Sequence, residues 1–196
     1  MAGPPTVILH WLPLGAGGTV VRLSGRLWEV MAAHRDRRRP APLFHSALEL
    51  DGPAGAAVIE IAPVVNSLPA EHGVVSEGPV GAAWAGRFRV FRYELRCWGQ
   101  GRIPDLEFET GDPVILSDDP AVASHIVDLT SQVPMLVWGR DELRMGEMWN
   151  SNSVIAWLLA GAGLELDGVA PPDGGIAPGW QPGIEAVRLA PPRGIS

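Results

Sequence analysis

Four consecutive polar residues, Asn150-Ser151-Asn152-Ser153, stand directly before an apolar run, and two of them carry a hydroxyl. Asn and Ser side chains accept hydrogen bonds from the unpaired N–H groups that open a helix, so this composition marks a helix start. Behind it, Val154, Ile155, Leu158 and Leu159 share one face of a 3.6-residue period, and Gly161 and Gly163 supply the stop. The helix predicted over 151–162 would hold a serine at its positive end, where developing negative charge is favoured. The same pattern also describes a doubly capped core helix with no chemistry. A second group to weigh is His45, which opens a strand and shares a hairpin with Glu60.

The elements that must position these groups follow from hydrophobic period. Thr6 to Leu12 is a β-branched apolar run with the length of a buried strand. Leu14-Gly15-Ala16-Gly17-Gly18 follows it, but lacks both the GxGxxG spacing and the Lys-Ser/Thr of a phosphate loop, so it reads as a turn. Leu23 to Ala33 reads as a helix. Pro40-Ala41-Pro42 then launches a strand over 43–50, with Phe44, Leu48 and Leu50 on one face and His45, Ala47 and Glu49 on the other. Asp51-Gly52 signals a hairpin, and Ala56 to Ile61 is the return strand. Residues 64–81 read as loop, and 87–98 as a strand with Phe91, Tyr93, Leu95 and Cys97 on its apolar face. Ser117-Asp118-Asp119-Pro120 caps a helix running to about Val133. The tail reads as an irregular wrap anchored by Trp180.

Composition excludes several classes. The 196 residues are 46% hydrophobic, enough for one sizeable core. A net charge of −7 argues against nucleic acid or anionic lipid as the main partner, and the basic cluster at Arg35 and Arg37 to Arg39 reads as a solvated helix end. No window approaches the ~18 apolar residues of a membrane span and no signal peptide is seen, so the chain is expected to be soluble and cytoplasmic. The single Cys97 permits no internal disulfide and reads as a small buried hydrophobe. Five scattered His, His125 among them, give no ligand spacing, so no metal or cofactor is expected. The carboxylate pairs Asp118-Asp119 and Asp141-Glu142 lie beside helix starts, where capping accounts for them. Eight Trp suggest aromatic surface for a ligand, with Trp149 nearest the serines.

His45-Ser46-Ala47-Leu48-Glu49-Leu50-Asp51-Gly52, followed by Val58-Ile59-Glu60-Ile61-Ala62-Pro63, resembles the hairpin of the lecithin retinol acyltransferase-like proteins. These have the circularly permuted papain-like fold shared with NlpC-type peptidases. In that family a His opens the first strand, and a second polar residue, often His, stands in the return strand before an apolar residue and Pro; Glu60 takes that place. The family's Asn-Cys at the start of an apolar helix is matched by Asn150-Ser151, with Ser in place of the nucleophilic Cys. The Asn-Ser-Asn-Ser start also looks like a branch of the superfamily found in bacterial proteins and toxin-like domains. The likeness in order of elements runs from His45 to about Gly163.

The resemblance implies an α+β permuted papain-like domain: an antiparallel sheet packed on the 151–162 helix. Residues 1–40 would add an N-terminal strand and helix, 43–163 form the core, and 164–196 wrap it. It implies a hydrolase or acyltransferase acting on an ester, thioester or amide of a small molecule, lipid or peptide. A serine hydroxyl ionises far less readily than a thiol and needs a base within hydrogen-bond reach. The expected roles are Ser151 as nucleophile, His45 as base, Glu60 orienting it, and backbone N–H groups with Asn150 holding the oxyanion. Ser153 is the alternative nucleophile, with Asn152 and Trp149 as substrate contacts. The competing expectation is a scaffold disabled by the Cys-to-Ser change, which binds or interacts without catalysis.

Overall fold

Period-two runs in the sequence become six strands of one antiparallel sheet. They are β1 Val7–Pro13, β2 Phe44–Gly52, β3 Gly55–Pro63, β4 Val74–Pro79, β5 Arg92–Gly99 and β6 Val114–Ser117, ordered β4-β5-β3-β2-β1-β6. The computed structural model describes residues 4, 6–14, 41–64, 73–99, 103 and 106–193. The helix expected over 23–33, the glycine stretch 15–18 and the basic cluster 35–39 lie outside them. Three α-helices join the sheet among the described residues: α1 Pro120–Leu129, α2 Ser151–Gly161 and α3 Trp180–Leu189. The fold is α+β.

The two sheet faces differ. Val7, Leu9, Leu48, Leu50, Ile59 and Leu95 point to one side and form a single core with α1 and α2. The opposite face carries a small apolar group, Leu12, Ala47, Val58 and Ile103, set among buried polar residues including His10, Glu60, Glu94 and Arg96. The β2–β3 hairpin sits near the middle of the sheet, with its register running from Leu48 opposite Ile59 to Gly52 opposite Gly55. The turn tip is therefore Pro53-Ala54, two residues beyond the expected Asp51-Gly52.

Several expectations are corrected. β1 is an interior strand, paired with β2 on one side and β6 on the other, rather than an added layer. Part of the 64–81 stretch read as loop forms β4. The strand read over 87–98 begins at Arg92, because β4 ends at Pro79, its residue opposite Arg92. Residues 83–91 are instead wound into two 3-10 turns, and Phe91 is exposed. The tail read as irregular contains α3. Pro182 and Gly183 disguise it, but proline in a first turn removes no helical hydrogen bond.

α2 is buried on all sides from Ser151 to Leu159, beyond the one-face stripe its period suggested. It lies against β2 and β3, with α1 and α3 also packed on it. The approach to α3 is set by Gly183: a Cβ there would stand 2.2 Å from the Ser153 carbonyl oxygen and 2.8 Å from Ala156 Cβ. Gly183→Ala should force the two helices apart and cost about 1–3 kcal/mol, as overpacking of a dense core does. A fall in the urea midpoint at unchanged slope would register it.

Candidate functional site

Asn150 is the helix cap, as its residue type predicts. It sits in extended backbone with its side chain accepting from Asn152 N at 2.9 Å, and the Asn150 N–H donates to Ser153 Oγ at 3.1 Å, which completes a capping box. Ser153 Oγ in turn donates to the Gly179 carbonyl at 2.8 Å, and Asn150 Nδ2 donates to the Pro178 carbonyl at 2.8 Å. Asn152 points to the sheet. Its Nδ2 donates to the carbonyls of Phe44 and Pro178, each at 3.0 Å, and its Oδ1 accepts from Ser46 Oγ at 2.9 Å.

The segment leading into α3 seals this end of α2. Phe44 N donates to the Ile176 carbonyl at 2.9 Å, Ile176 N to the Pro42 carbonyl at 2.8 Å, and Gly179 N to Glu147 Oε2 at 2.7 Å. Gly179 has φ +84°, and a Cβ there would fall 2.6 Å from Ser153 Oγ and 2.7 Å from Asn150 Oδ1. Trp180 follows, stacked at a tilt on Trp11 with ring centroids 5.0 Å apart.

Ser151 occupies the first helical position. Its residue is 7% exposed, and among the described residues its hydroxyl makes no side-chain hydrogen bond. Trp149, expected to contact substrate, is 1% exposed and belongs to the core beside Tyr93. The Tyr93 hydroxyl donates to the Leu136 carbonyl at 2.7 Å; burial pushes its phenol up to about 12, with Trp149 working in the other direction. Burial likewise raises the Cys97 thiol, and Cys97 packs against the core as a small apolar group.

His45 lies elsewhere. β2 pairs with β1 without a shift from Phe44 to Leu50, so its side chains alternate strictly. Ser46 reaches α2, and its neighbour His45 therefore points to the opposite sheet face, beside Leu12 of β1. Glu60 shares that far face, so the histidine and carboxylate are brought to one side of the sheet, and the serines to the other. The expected base is separated from both hydroxyls by the sheet itself. The correction has a simple cause: period two puts adjacent residues on opposite faces, and Ser46, not His45, has the parity that meets the helix.

On the far face Glu60 Oε1 accepts from Arg96 Nη1 at 3.0 Å, and Arg96 also meets Glu94 at 2.8 Å. Nearby on β1, His10 Nδ1 is 2.8 Å from Glu109, and Nε2 is 3.5 Å from Glu49. Sequence reading missed His10 and Glu109, which are 99 residues apart with no motif joining them. It also missed Ser46 and the Pro178-Gly179 carbonyls. Only the alternation of β2 hinted at Ser46. Among the described residues no group of three or more His, Cys, Asp or Glu is arranged to hold a metal ion, and no helix is long and apolar enough to cross a membrane.

Compared with known protein families, curated proteins and solved structures, the chain matches none.

Proposed function

We propose that this chain is a binding or interaction domain on a permuted papain-like scaffold, with no acyl chemistry at the start of α2. The observation that carries this reading is the parity of β2, which turns His45 away from Ser151 and Ser153. A serine without a base in reach is a weak nucleophile at neutral pH. Around it, Asn150, Asn152 and Ser153 are engaged in capping and in holding the 178–179 carbonyls, which occupies the groups that would otherwise receive substrate. The scaffold assignment rests on the hairpin near the middle of the sheet and the polar start of the buried helix, the two segments that carry the resemblance.

A second reading keeps Ser151 as a nucleophile toward an ester, thioester or amide, because its hydroxyl is the one in this cluster left without a side-chain partner among the described residues. Labelling with a fluorophosphonate probe, together with turnover of a short thioester, separates the two. We expect no label on Ser151 and no turnover beyond that of Ser151→Ala. The variant should stay folded with a change below ~1 kcal/mol, since the cap is Asn150. Probe adduct on Ser151 that disappears in a folded Ser151→Ala protein would restore the acyl reading.

A further inference from the structure

Across the sheet from α2, the far face holds a buried histidine. His10 on β1 is 4% exposed, and its ring stands between carboxylates from two other elements. Glu49 comes from β2. Ala47 lies directly opposite His10, and Glu49, two residues on, sits diagonally across on the same face. Glu109 follows the 3-10 turn Leu106–Phe108, and its N–H donates to the Leu106 carbonyl at 3.1 Å. Apolar anchors fix that turn: Ile103, 1% exposed, and Leu106 pack with Leu12, Ala47 and Val58. Long-range packing thus brings three polar groups together from three separate segments.

An ionised carboxylate only accepts hydrogen bonds, so at 2.8 Å from Glu109 the His10 Nδ1 atom carries the hydrogen. The lone pair of the neutral ring then sits on Nε2, which is buried and has no hydrogen-bond partner. Nε2 faces another acceptor, Glu49 Oε2, at 3.5 Å. Two acceptors set against each other call for a positive charge between them. A proton is one candidate, but an imidazolium–carboxylate bond closes to ~2.7–2.9 Å. Glu49 is free to make that closure, since its side chain is 39% exposed and has no other polar partner among the described residues. A metal ion is the other candidate. Two donors on one tetrahedral zinc, each bonded at ~2.0–2.1 Å, stand about 3.4 Å apart. The observed separation fits the ion better than the proton. A carboxylate on the second ring nitrogen is also what orients a metal-bound imidazole. Imidazole with carboxylate suits zinc, where calcium or magnesium would take oxygen alone.

We propose that His10 Nε2 and Glu49 hold a zinc-class divalent ion, with Glu109 orienting the imidazole and water filling the remaining positions. Glu109 is committed to the other ring nitrogen, so two side chains converge on the ion where a structural zinc takes four. The ion is therefore exchangeable, and its site is independent of any chemistry at α2. The test is calorimetric titration of the chelator-stripped whole chain with zinc chloride, repeated with cobalt to read tetrahedral visible bands. One equivalent of saturable binding is expected. Glu49→Gln and His10→Ala should each abolish it, and Glu109→Gln should weaken it about 10–100-fold, the loss expected when the carboxylate behind a ligating imidazole is removed. His125→Ala, on α1, should leave it unchanged. Glu49 is half-exposed, so its variant stays folded and keeps the test valid even where His10→Ala does not. No saturable binding, or binding that survives Glu49→Gln, overturns the proposal. So does nitrogen NMR that finds Nε2 protonated and insensitive to zinc, which would make the contact a plain ion pair.

Discussion

Arg96→Leu should be among the most damaging single substitutions in the described fold, lowering stability by about 3–5 kcal/mol, the range for removing one partner of a buried ion pair. Arg96 lies on β5 at 7% exposure and meets Glu60 across the β3–β5 pairing and Glu94 two residues earlier on its own strand. Glu94 is 1% exposed and Glu60 9%. Removing the guanidinium would take the positive partner away from two carboxylates that are themselves buried. The substitution itself is apolar and near in size, so packing alone would not account for so large a loss. Urea unfolding of Arg96→Leu measures it. Adding Glu60→Gln and Glu94→Gln to the same chain should recover much of the deficit, because the uncompensated charge is then gone. A loss below ~1 kcal/mol in the single variant would mean that the far face is well hydrated, and the buried network would not be a structural element.

Asn152→Ala is expected to rank beside it, at about 3–4 kcal/mol. Three bonds end on this one amide: two from Nδ2 to the Phe44 and Pro178 carbonyls and one to Oδ1 from Ser46. Each buried group left without a partner costs ~1–3 kcal/mol, and truncation also opens a void beside β2. Ser46→Ala removes only the hydroxyl and should cost about 1 kcal/mol. The double variant should be less damaging than the sum, since Ser46 Oγ is already orphaned once Asn152 is shortened. Strict additivity would show that the two side chains do not act together. The same cycle bears on function: a structural amide leaves any measured binding intact in the folded fraction, whereas a substrate contact would not.

Local chemistry made much of α2 legible. An Asn-Ser-Asn-Ser run before apolar residues can do little else than start a helix, because side-chain oxygens at that point satisfy N–H groups the helix leaves open, and Asn150 does so. Asp119 with Pro120 worked in the same way for α1, whose cap accepts from Ala121 N at 2.8 Å. Alternation in β2 gave its two faces correctly. The coarse α+β class was equally accessible, as was the placement of Cys97 among apolar neighbours.

What sequence could not supply was the sign of each alternation relative to the rest of the fold. Period two says that His45 and Ser46 look opposite ways; only the packing of α2 against the sheet says which way is toward the helix. That single choice separated a histidine–serine pair that spacing had suggested. Strand pairing also decided where β5 begins. Residues 87–91 alternate well enough for a strand, but a strand needs a neighbour, and among the described residues the ladder of β4 on β5 ends at Pro79 opposite Arg92. The tail depended on tertiary structure in the same manner: Gly179 and Gly183 look like helix breakers until a side chain at Gly179 is seen to fall on Ser153 Oγ and Asn150 Oδ1, and one at Gly183 on the α2 backbone. By itself the sequence determined which residues cap, turn and alternate, because those preferences are local. The tertiary structure decided which faces meet, because that is set by long-range burial.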